Sequence, residues 1–171
     1  MNILKKNQQI LTTILILILY SSLINFSSCS FFSGASYEYI RFISEKDSLD
    51  FEKNCKGQKD FGYYYLYAEN YDGSINITIS FPETTRFNFI YIPYDYNTFI
   101  MVNFKNLNKI YKCSSFIGSG KIYLESVPDS FFSQLSGSFE GILLNTQDHS
   151  ESLRIDSGEF LFYFNQQEMK R

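Results

Sequence analysis

The 171-residue chain carries 15 basic and 18 acidic side chains, for a net charge of −3 at pH 7. Its first 28 residues hold two of the lysines and no acid, so the remaining 143 residues have a net charge of about −5. A nucleic-acid-binding domain needs a basic stripe that replaces phosphate counterions, so this composition excludes a generic nucleic-acid binder. Aromatic residues make up 19% of the chain without any Trp, and so many Tyr and Phe favour half-buried β-strands.

The amino terminus has the pattern of an export signal. Lys5 and Lys6 precede an apolar run over residues 10–20, and no acidic residue interrupts this segment. A positive start followed by an apolar stretch of this length is typical of a signal peptide. We therefore expect the folded domain to lie outside the cytoplasm.

The end of this segment resembles the lipobox of bacterial lipoproteins. Two small residues, Ser27 and Ser28, directly precede Cys29. The resemblance implies that signal peptidase II removes residues 1–28 and that Cys29 becomes a lipidated, palmitate-bearing amino terminus. Residues 30–36 would then form a short tether between the membrane and the domain.

Two alternatives for the amino terminus stay open. Residues 10–32 are long enough to span about 30 Å of hydrocarbon as a retained helix, although several Ser residues dilute the second half of this stretch. Cleavage by signal peptidase I would instead release a soluble, secreted protein. All three interpretations predict an exported protein.

The cysteines have a parity that suits export. If Cys29 carries lipid, Cys55 and Cys113 remain as an even pair in an oxidising compartment. A bridge between them would close a loop of about 58 residues, worth on the order of 4 kcal/mol. The alternative is two separate buried thiols. Because His149 is the only His and no Cys-x-x-Cys pattern occurs, we predict neither a metal site nor a cofactor.

The rest of the chain alternates between apolar and polar residues over short runs, which predicts β-strands. Residues 44–59 are polar and charged and predict a loop with one helical turn. Asp72-Gly73 lies between two such runs and is a strong hairpin signal. In the run after this turn, we expect one face of the strand to be buried and the other to be exposed to solvent. The residues expected to face the core are Ile75, Ile77, Ile79 and Phe81. The predicted strands span residues 37–42, 61–71, 74–81, 86–92, 98–104, 110–116, 121–125, 133–145 and 152–164.

Eight or nine strands at this spacing predict an all-β fold, either an antiparallel β-sandwich or a flattened barrel. Neither an internal repeat nor a linker is evident after the amino-terminal segment. We therefore predict a signal peptide over residues 1–28, a lipidated Cys and tether over 29–36, and one domain over 37–171.

The last third of the chain resembles a group of uncharacterised Bacteroidetes-type lipoproteins. The resemblance lies in GSGKIYL (residues 118–124), LSGSFEGILLN (135–145) and LRIDSGEF (153–160). It implies an exported β-sandwich lipoprotein and supplies no site residues. The pattern also has a physical interpretation, in which Gly137 and Gly141 admit large side chains of a facing sheet. Ser157-Gly158 would then form a bulge before the final core residues.

The sequence offers little for catalysis. Asp148-His149-Ser150 has the residue types of a hydrolase triad, but neighbours in sequence do not converge as a triad must, and we expect a solvated hairpin loop. The turn segments Asp72-Gly73 and 156–159 lack the ligand ladder of an EF-hand. We therefore predict no enzyme and no catalytic residue. A glycoside hydrolase stays a weak alternative that would require two carboxylates in one cleft.

Tyr residues in the first half of the domain are the most suggestive feature. A Tyr ring can be buried while its hydroxyl stays wet, so Tyr is frequent at interfaces. The alternative is that these rings only cover the strands of a small sandwich. The predicted recognition surface consists of Tyr63, Tyr65, Tyr67, Tyr91, Tyr94 and Tyr96.

The sequence therefore predicts a cell-envelope lipoprotein of the outer or cytoplasmic membrane that faces the periplasm or the exterior. It would act as a non-catalytic binding or structural accessory module. Its predicted partners are the membrane, reached through the lipid, and an envelope protein or glycan. The alternative is a lipocalin-like carrier of a small apolar ligand, which an empty central cavity would favour. A filled core with an exposed Tyr surface would favour the binding module.

Overall fold

The structure is a computed structural model that describes residues 37–44, 47–83, 88–128 and 134–164. The chain divides into two compact units, Met1–Ala35 and Ser36–Arg171, and the description below concerns the second. The predicted signal peptide, Cys29 and the tether lie outside the described residues.

The described residues form eleven strands and one short 3-10 helix, η1 (Lys105–Leu107), and the all-β prediction is confirmed. The strands outnumber the eight or nine predicted. They are β1 (Tyr39–Ser44), β2 (Ser48–Phe51), β3 (Lys53–Asp60), β4 (Tyr63–Glu69), β5 (Ile75–Pro82), β6 (Phe89–Ile92), β7 (Phe99–Phe104), β8 (Lys109–Cys113), β9 (Ser119–Ser126), β10 (Gln134–Asn145) and β11 (Ser152–Tyr163).

All strand pairs are antiparallel, and the main order is β2-β1-β11-β10-β8-β7-β5-β4-β3. The sheet forks at the long strand β10. Its last residues, Leu144 and Asn145, pair with β8, while residues 136–142 pair with β9, which in turn pairs with β6. The forked sheet curls into a nearly closed, barrel-like shape, which is the flattened form of the predicted architecture.

The loop predicted over residues 44–59 is wrong, because this segment contains β2 and most of β3. Strand β3 lies at one end of the sheet order, where an edge strand needs no apolar face and gains from charge. Lys53, Lys56 and Lys59 all lie on it. The segment therefore lacks the alternating apolar residues by which a strand is recognised in sequence.

The hairpin predicted at Asp72-Gly73 is confirmed, with a five-residue loop between β4 and β5. Gly73 has a φ of 72°, and the Asp72 carboxylate accepts a hydrogen bond from the Ser74 amide at 2.8 Å. A second and tighter hairpin was not predicted. Phe61 and Gly62 alone connect β3 to β4, with φ values of 47° and 81°, which is a type I′ turn.

Aromatic rings fill the interior of the domain. A continuous series of ring contacts, with centroid separations of 5.3–6.4 Å, crosses from β2 to β4 and ends beyond β11. Each such pair adds about 0.5–1.5 kcal/mol to the free energy of unfolding beyond area burial. The rings belong, in order, to Phe51, Phe42, Phe139, Phe160, Phe81, Tyr64 and Phe164.

Two Ser-Gly-x-Phe segments, residues 136–139 and 157–160, pair antiparallel on β10 and β11. The register sets Gly137 opposite Phe160 and Phe139 opposite Gly158, so each ring lies over the other strand's glycine. A Cβ atom at Gly137 would be 2.7 Å from Phe160 Cζ, and one at Gly158 would be 2.4 Å from Phe139 Cζ. These two glycines therefore admit rings of the adjacent strand, and the expectation that Gly137 faces a ring from a facing sheet is wrong.

The bulge predicted at Ser157-Gly158 is confirmed, but it lies one residue earlier, at Asp156-Ser157. Between the pairs Phe139–Gly158 and Gly141–Ile155, strand β11 has one residue more than β10. The extra residue places Asp156 and Ser157 both toward solvent before alternation resumes. The bulge thereby keeps Ile155 and Gly158 both on the core face.

The polar face of β5 is less wet than expected. Ile77, Ile79 and Phe81 are buried as predicted, but Asn76 and Ser80 on the other face are buried too. The register places Ser80 between Tyr65 of β4 and Phe99 of β7. Larger side chains of the neighbouring strands thus shield the small polar residues of this central strand.

The structure does not pair Cys55 with Cys113, so the proposed disulfide is corrected to two separate free thiols. The Cys55 thiol donates a hydrogen bond to the Glu38 carbonyl oxygen at 3.1 Å, and Cys113 is fully buried. Burial raises the pKa of the Cys55 thiol to about 11 and that of the Cys113 thiol to about 12. Both thiols are therefore expected to stay protonated at neutral pH.

Candidate recognition surface

The loop between β6 and β7 is organised around the carboxylate of Asp95. Its Oδ1 accepts hydrogen bonds from the Asn97 amide at 3.0 Å and from the buried Thr98 hydroxyl at 2.7 Å. Its Oδ2 accepts one from the Tyr63 hydroxyl of β4 at 2.7 Å. Donation to this carboxylate raises the pKa of Tyr63. The loop is thus fixed both internally and to the neighbouring strand.

The Asp95 loop presents two exposed rings. Tyr94 and Tyr96 are 60% and 77% exposed. The Tyr96 ring lies 5.5 Å from that of Phe116, which is 76% exposed on the loop between β8 and β9. This second loop is tight, because the Ser114 amide donates to the Ile117 carbonyl at 2.7 Å and Gly118 follows with a φ of 67°.

A fourth exposed ring lies at the same end of the sheet. Phe61 is 92% exposed at the tip of the β3–β4 turn, two residues before Tyr63. Since the Tyr63 hydroxyl contacts Asp95, this turn and the Asp95 loop belong to one end of the domain. We call Phe61, Tyr94, Tyr96 and Phe116 the aromatic end.

The six predicted Tyr residues divide between different environments. Tyr63, Tyr65 and Tyr67 share the outer face of β4 and are half-buried. The Tyr65 ring lies 6.4 Å from the Tyr63 ring, so Tyr63 and Tyr65 adjoin the aromatic end. Tyr94 and Tyr96 form part of it.

Tyr67 belongs to a different cluster at the far end of β4. Its hydroxyl donates to Glu69 at 2.6 Å, and the same carboxylate accepts from Lys105 at 2.8 Å and from the Asn54 amide at 2.5 Å. Donation by Lys105, then by Tyr67 and Asn54, lowers the pKa of Glu69 to about 2. Tyr67 is therefore a structural residue of an ion-pair network, which sequence spacing alone did not indicate.

Tyr91 lies on the outer face of β6, paired in register with Lys121 of β9. It is next to a tilted ring pair of Phe89 and Tyr123, whose centroids are 4.7 Å apart. Phe89 and Tyr123 border a shallow cleft of about 300 Å³ that extends over β10 to the bulge of β11. Tyr91 thus faces outward beside this cleft and is separate from the contacts of the aromatic end.

Acidic side chains near this cleft are paired with cations. Glu140 lies 3.8 Å from Lys121, and Asp156 lies 2.7 Å from Arg154. Both acids line the cleft, but a glycosidase requires one carboxylic acid that donates a proton and one carboxylate that acts as a base or nucleophile. These ion pairs do not favour that division of roles, and the absence of enzymatic activity stays a prediction.

The remaining sequence candidates lie in ordinary turns. In the β10–β11 loop the Asp148 carboxylate accepts hydrogen bonds from the amide and the hydroxyl of Ser150, at 3.0 and 2.7 Å. Asp148-His149-Ser150 is thus a self-contained exposed turn. Among the residues that the structure describes, no three His, Cys, Asp or Glu side chains form a group able to hold a metal ion.

Two residues of the aromatic end were missed in the sequence. Phe61 precedes Gly62 between two β-type runs, so a Gly-containing turn was visible, but Phe is not a residue that type I′ turns prefer. Phe116 was assigned to the end of a strand, although Ser114, Ser115 and Gly118 around it have the composition of a turn. An apolar residue inside such a segment is the signal that would have found both.

Comparison of the chain with known protein families, with curated proteins and with solved structures finds no match. The resemblance to Bacteroidetes-type lipoproteins therefore stays a prediction. Within the described ranges, no helix is long and apolar enough to cross a membrane.

Proposed function

We propose that this chain is an exported, lipid-anchored accessory protein of the cell envelope that acts by binding and without catalysis. The amino-terminal pattern of Lys5, Lys6, the apolar run and Cys29 supports the export and the anchor. The lipid on Cys29 would hold the domain at an outer or cytoplasmic membrane.

The observation that carries the binding function is the aromatic end. Burying a Phe or Tyr ring away from water lowers the free energy of a protein. Four rings of this end are nevertheless exposed, on three different connections between strands. Asp95 and the tight Ser114–Ile117 turn hold two of these connections in fixed conformations. A preorganised set of exposed rings loses little conformational entropy on binding and is typical of a contact surface.

The alternative of a lipocalin-like carrier is supported only by the barrel-like closure of the sheet. The place where a carrier holds its ligand is occupied here by the contacting rings between β2 and β4. The sequence argument predicted that a filled core with exposed rings would favour a binding module over a carrier, and these are the two features that support the binding module here.

The anchor is tested by exchanging Cys29→Ala and following the intact mass and the membrane partitioning of the protein. The wild type is expected to carry lipid mass on Cys29 and to fractionate with membranes, and the variant is expected to lose both. A wild-type protein without lipid mass would show that the lipoprotein proposal is wrong.

The contact surface is tested by photo-crosslinking in intact cells. A photoreactive residue at position 96 is expected to yield one defined adduct with an envelope component, which protease, glycosidase and lipid extraction would classify. The matched position is 71, because Tyr71 is 93% exposed on the loop between β4 and β5, away from the aromatic end. Equal labelling at both positions would contradict a specific surface.

A further inference from the structure

The outer face of six neighbouring strands, in the order β6-β9-β10-β11-β1-β2, carries two rows of side chains. Residues that are directly opposite in an antiparallel register project from the same face of a sheet. The first row consists of Phe89, Tyr123, Ser138, Glu159, Arg41 and Asp50. The second row consists of Tyr91, Lys121, Glu140, the bulge residues Asp156 and Ser157, Ile43 and Ser48.

The middle of both rows is low, because the side chains there are small. Ser138, Ser157 and Gly158 line two adjoining clefts of about 300 and 560 Å³. Phe89 of β6 bounds the first cleft and Arg41 of β1 bounds the second. Because the clefts share their floor, they form one trough that crosses the strands, and six strands about 4.8 Å apart give it a length of about 24 Å.

The floor of the trough can bind only through side chains. Strands β9, β10, β11 and β1 are each paired with a neighbour on both sides, so their backbone groups are used within the sheet. A peptide that extends a sheet by backbone pairing requires a free edge. The trough therefore favours a molecule that presents its own polar groups and apolar faces to side chains.

The charges along the trough lie in compensating positions. Lys121 Nζ lies 3.8 Å from Glu140 Oε1, and Arg41 binds Glu159 through its Nε. Asp50 is directly opposite Arg41 in the register of β1 and β2. An ionic molecule would have to compete with these pairs, whereas a neutral one can enter beside them.

Hydrogen-bonding groups and exposed rings remain for contact with such a molecule. The ion-paired carboxylates of the two rows are 40–57% exposed, so they keep acceptor lone pairs in water. The hydroxyls of Ser138 and Ser157 can both donate and accept. Phe89 and Tyr91 are 45% and 63% exposed at the β6 side of the trough. The trough thus combines apolar ring faces with a mixture of donors and acceptors.

We infer that this trough binds a neutral saccharide chain. A pyranose ring has an apolar C–H face, which packs on Phe89 and Tyr91, and hydroxyls that both donate and accept. These hydroxyls pair with the serines and with the exposed sides of Glu140 and Glu159. The site is separate from the aromatic end and requires no lipid on Cys29, so it goes beyond the function proposed above.

The test is calorimetric titration of the full-length protein with defined hexasaccharides, in a detergent without a sugar headgroup. The neutral probes are cellohexaose, mannohexaose, maltohexaose and chitohexaose, and the anionic probe is hexagalacturonic acid. At least one neutral probe is expected to bind saturably and with an affinity that salt leaves unchanged. Absence of binding by all four would overturn the inference, as would tighter binding of the anionic probe that weakens with salt.

A matched pair of variants locates the bound saccharide. Phe89→Leu keeps an apolar side chain but removes the ring face, and it is expected to weaken binding at least about threefold. Phe116→Leu makes the same exchange at the aromatic end and is expected to leave the affinity unchanged. The reverse result would place the saccharide at the aromatic end and overturn the inference.

A third variant fills the trough from its floor. The Ser138 side chain points away from the core, so Ser138→Tyr is expected to abolish binding while the thermal midpoint and the circular dichroism stay near those of the wild type. Unchanged affinity in either folded variant, Phe89→Leu or Ser138→Tyr, would contradict a site in the trough. A protease-sensitive adduct from a photoreactive residue at position 91 in intact cells would mean that this face docks a protein, which also overturns the inference.

Discussion

The two ends of the domain solve the same problem, the reversal of the chain between strands, with opposite chemistry. At one end Glu69, Asp72 and Glu151 accept hydrogen bonds from their own loops and neighbouring strands. At the aromatic end a single carboxylate, Asp95, fixes the loop, and the rings of Tyr96 and Phe116 remain in water. The difference separates turns whose polar side chains stabilise the fold from turns that leave rings exposed on the surface that we propose for binding.

The largest effect on stability is expected from a substitution in the core strand β10, which lies between the two ends. Gly137→Ala should lower the free energy of unfolding by about 3 kcal/mol, because the new Cβ would lie 2.2 Å from the Tyr123 carbonyl oxygen and 2.7 Å from Phe160 Cζ. Urea unfolding followed by circular dichroism measures the loss. Ser138→Ala, the next residue, points away from the core and is the control, and a similar loss there would contradict the packing argument.

A smaller effect is expected from the aromatic end alone. Asp95→Ala should cost about 1–3 kcal/mol, because the fully buried Thr98 hydroxyl and the Tyr63 hydroxyl both lose their acceptor. Thermal and urea unfolding measure this cost, and near-ultraviolet dichroism should report the released Tyr rings. Asp148→Ala removes a carboxylate that only caps an exposed turn at the opposite end, and it should cost less. The reverse order would show that Asp95 does not organise its loop.

Phe61→Asn should change stability in the other direction. Because Asn tolerates the left-handed conformation that Phe61 adopts, the exchange is expected to stabilise the isolated domain by about 1 kcal/mol. Differential scanning calorimetry of the two proteins measures the gain. A loss of stability would mean that Phe61 supports the fold, and the contrast between the two ends would then weaken.

The smallest effect concerns the acid response of the polar end. Glu69 has its pKa lowered to about 2 by Lys105, Tyr67 and Asn54, from an ordinary value of 4.5. A lowered pKa contributes stability that is complete above pH 4.5 and is lost as the pH falls through about 2. Glu69→Gln should therefore flatten the decline of the thermal midpoint between pH 4.5 and pH 2. An unchanged slope would assign the acid response to other carboxylates, among which Asp72 and Glu151 also have lowered pKa values.

Local alternation was sufficient to predict most of the strands. Strands such as β10 and β11 bury every second side chain over much of their length, so their period is visible in sequence. Strand β3 has no such period, since an edge strand with three lysines satisfies its role through backbone pairing and charge. The hairpin at Phe61-Gly62, which follows this strand, was not predicted either, because Phe is not a preferred residue at the first position of such a turn.

The candidate site was predictable in part for a related reason. Tyr94 and Tyr96 follow Pro93 in a polar segment and lie on either side of Asp95, so their exposure follows from local composition. The role of Tyr63 depends on Asp95, which is 32 residues away in the chain. The role of Tyr67 depends on the pairing of Glu69 with Lys105, which are 36 residues apart. Contacts at such separations are set by strand register, which sequence patterns do not specify when both faces of a strand carry the same residue type.

The reciprocal arrangement of Gly137 with Phe160 and of Phe139 with Gly158 has a consequence for how this sequence can diverge. Neither member of a pair can change alone, because a side chain on the glycine collides with the ring and a smaller residue in place of the ring leaves a void above bare backbone. The two pairs therefore behave as coupled positions. In a homologous chain we expect growth at residue 137 to accompany shrinkage at residue 160, so that covariation at these sites, more than identity, would mark descent from a common ancestor.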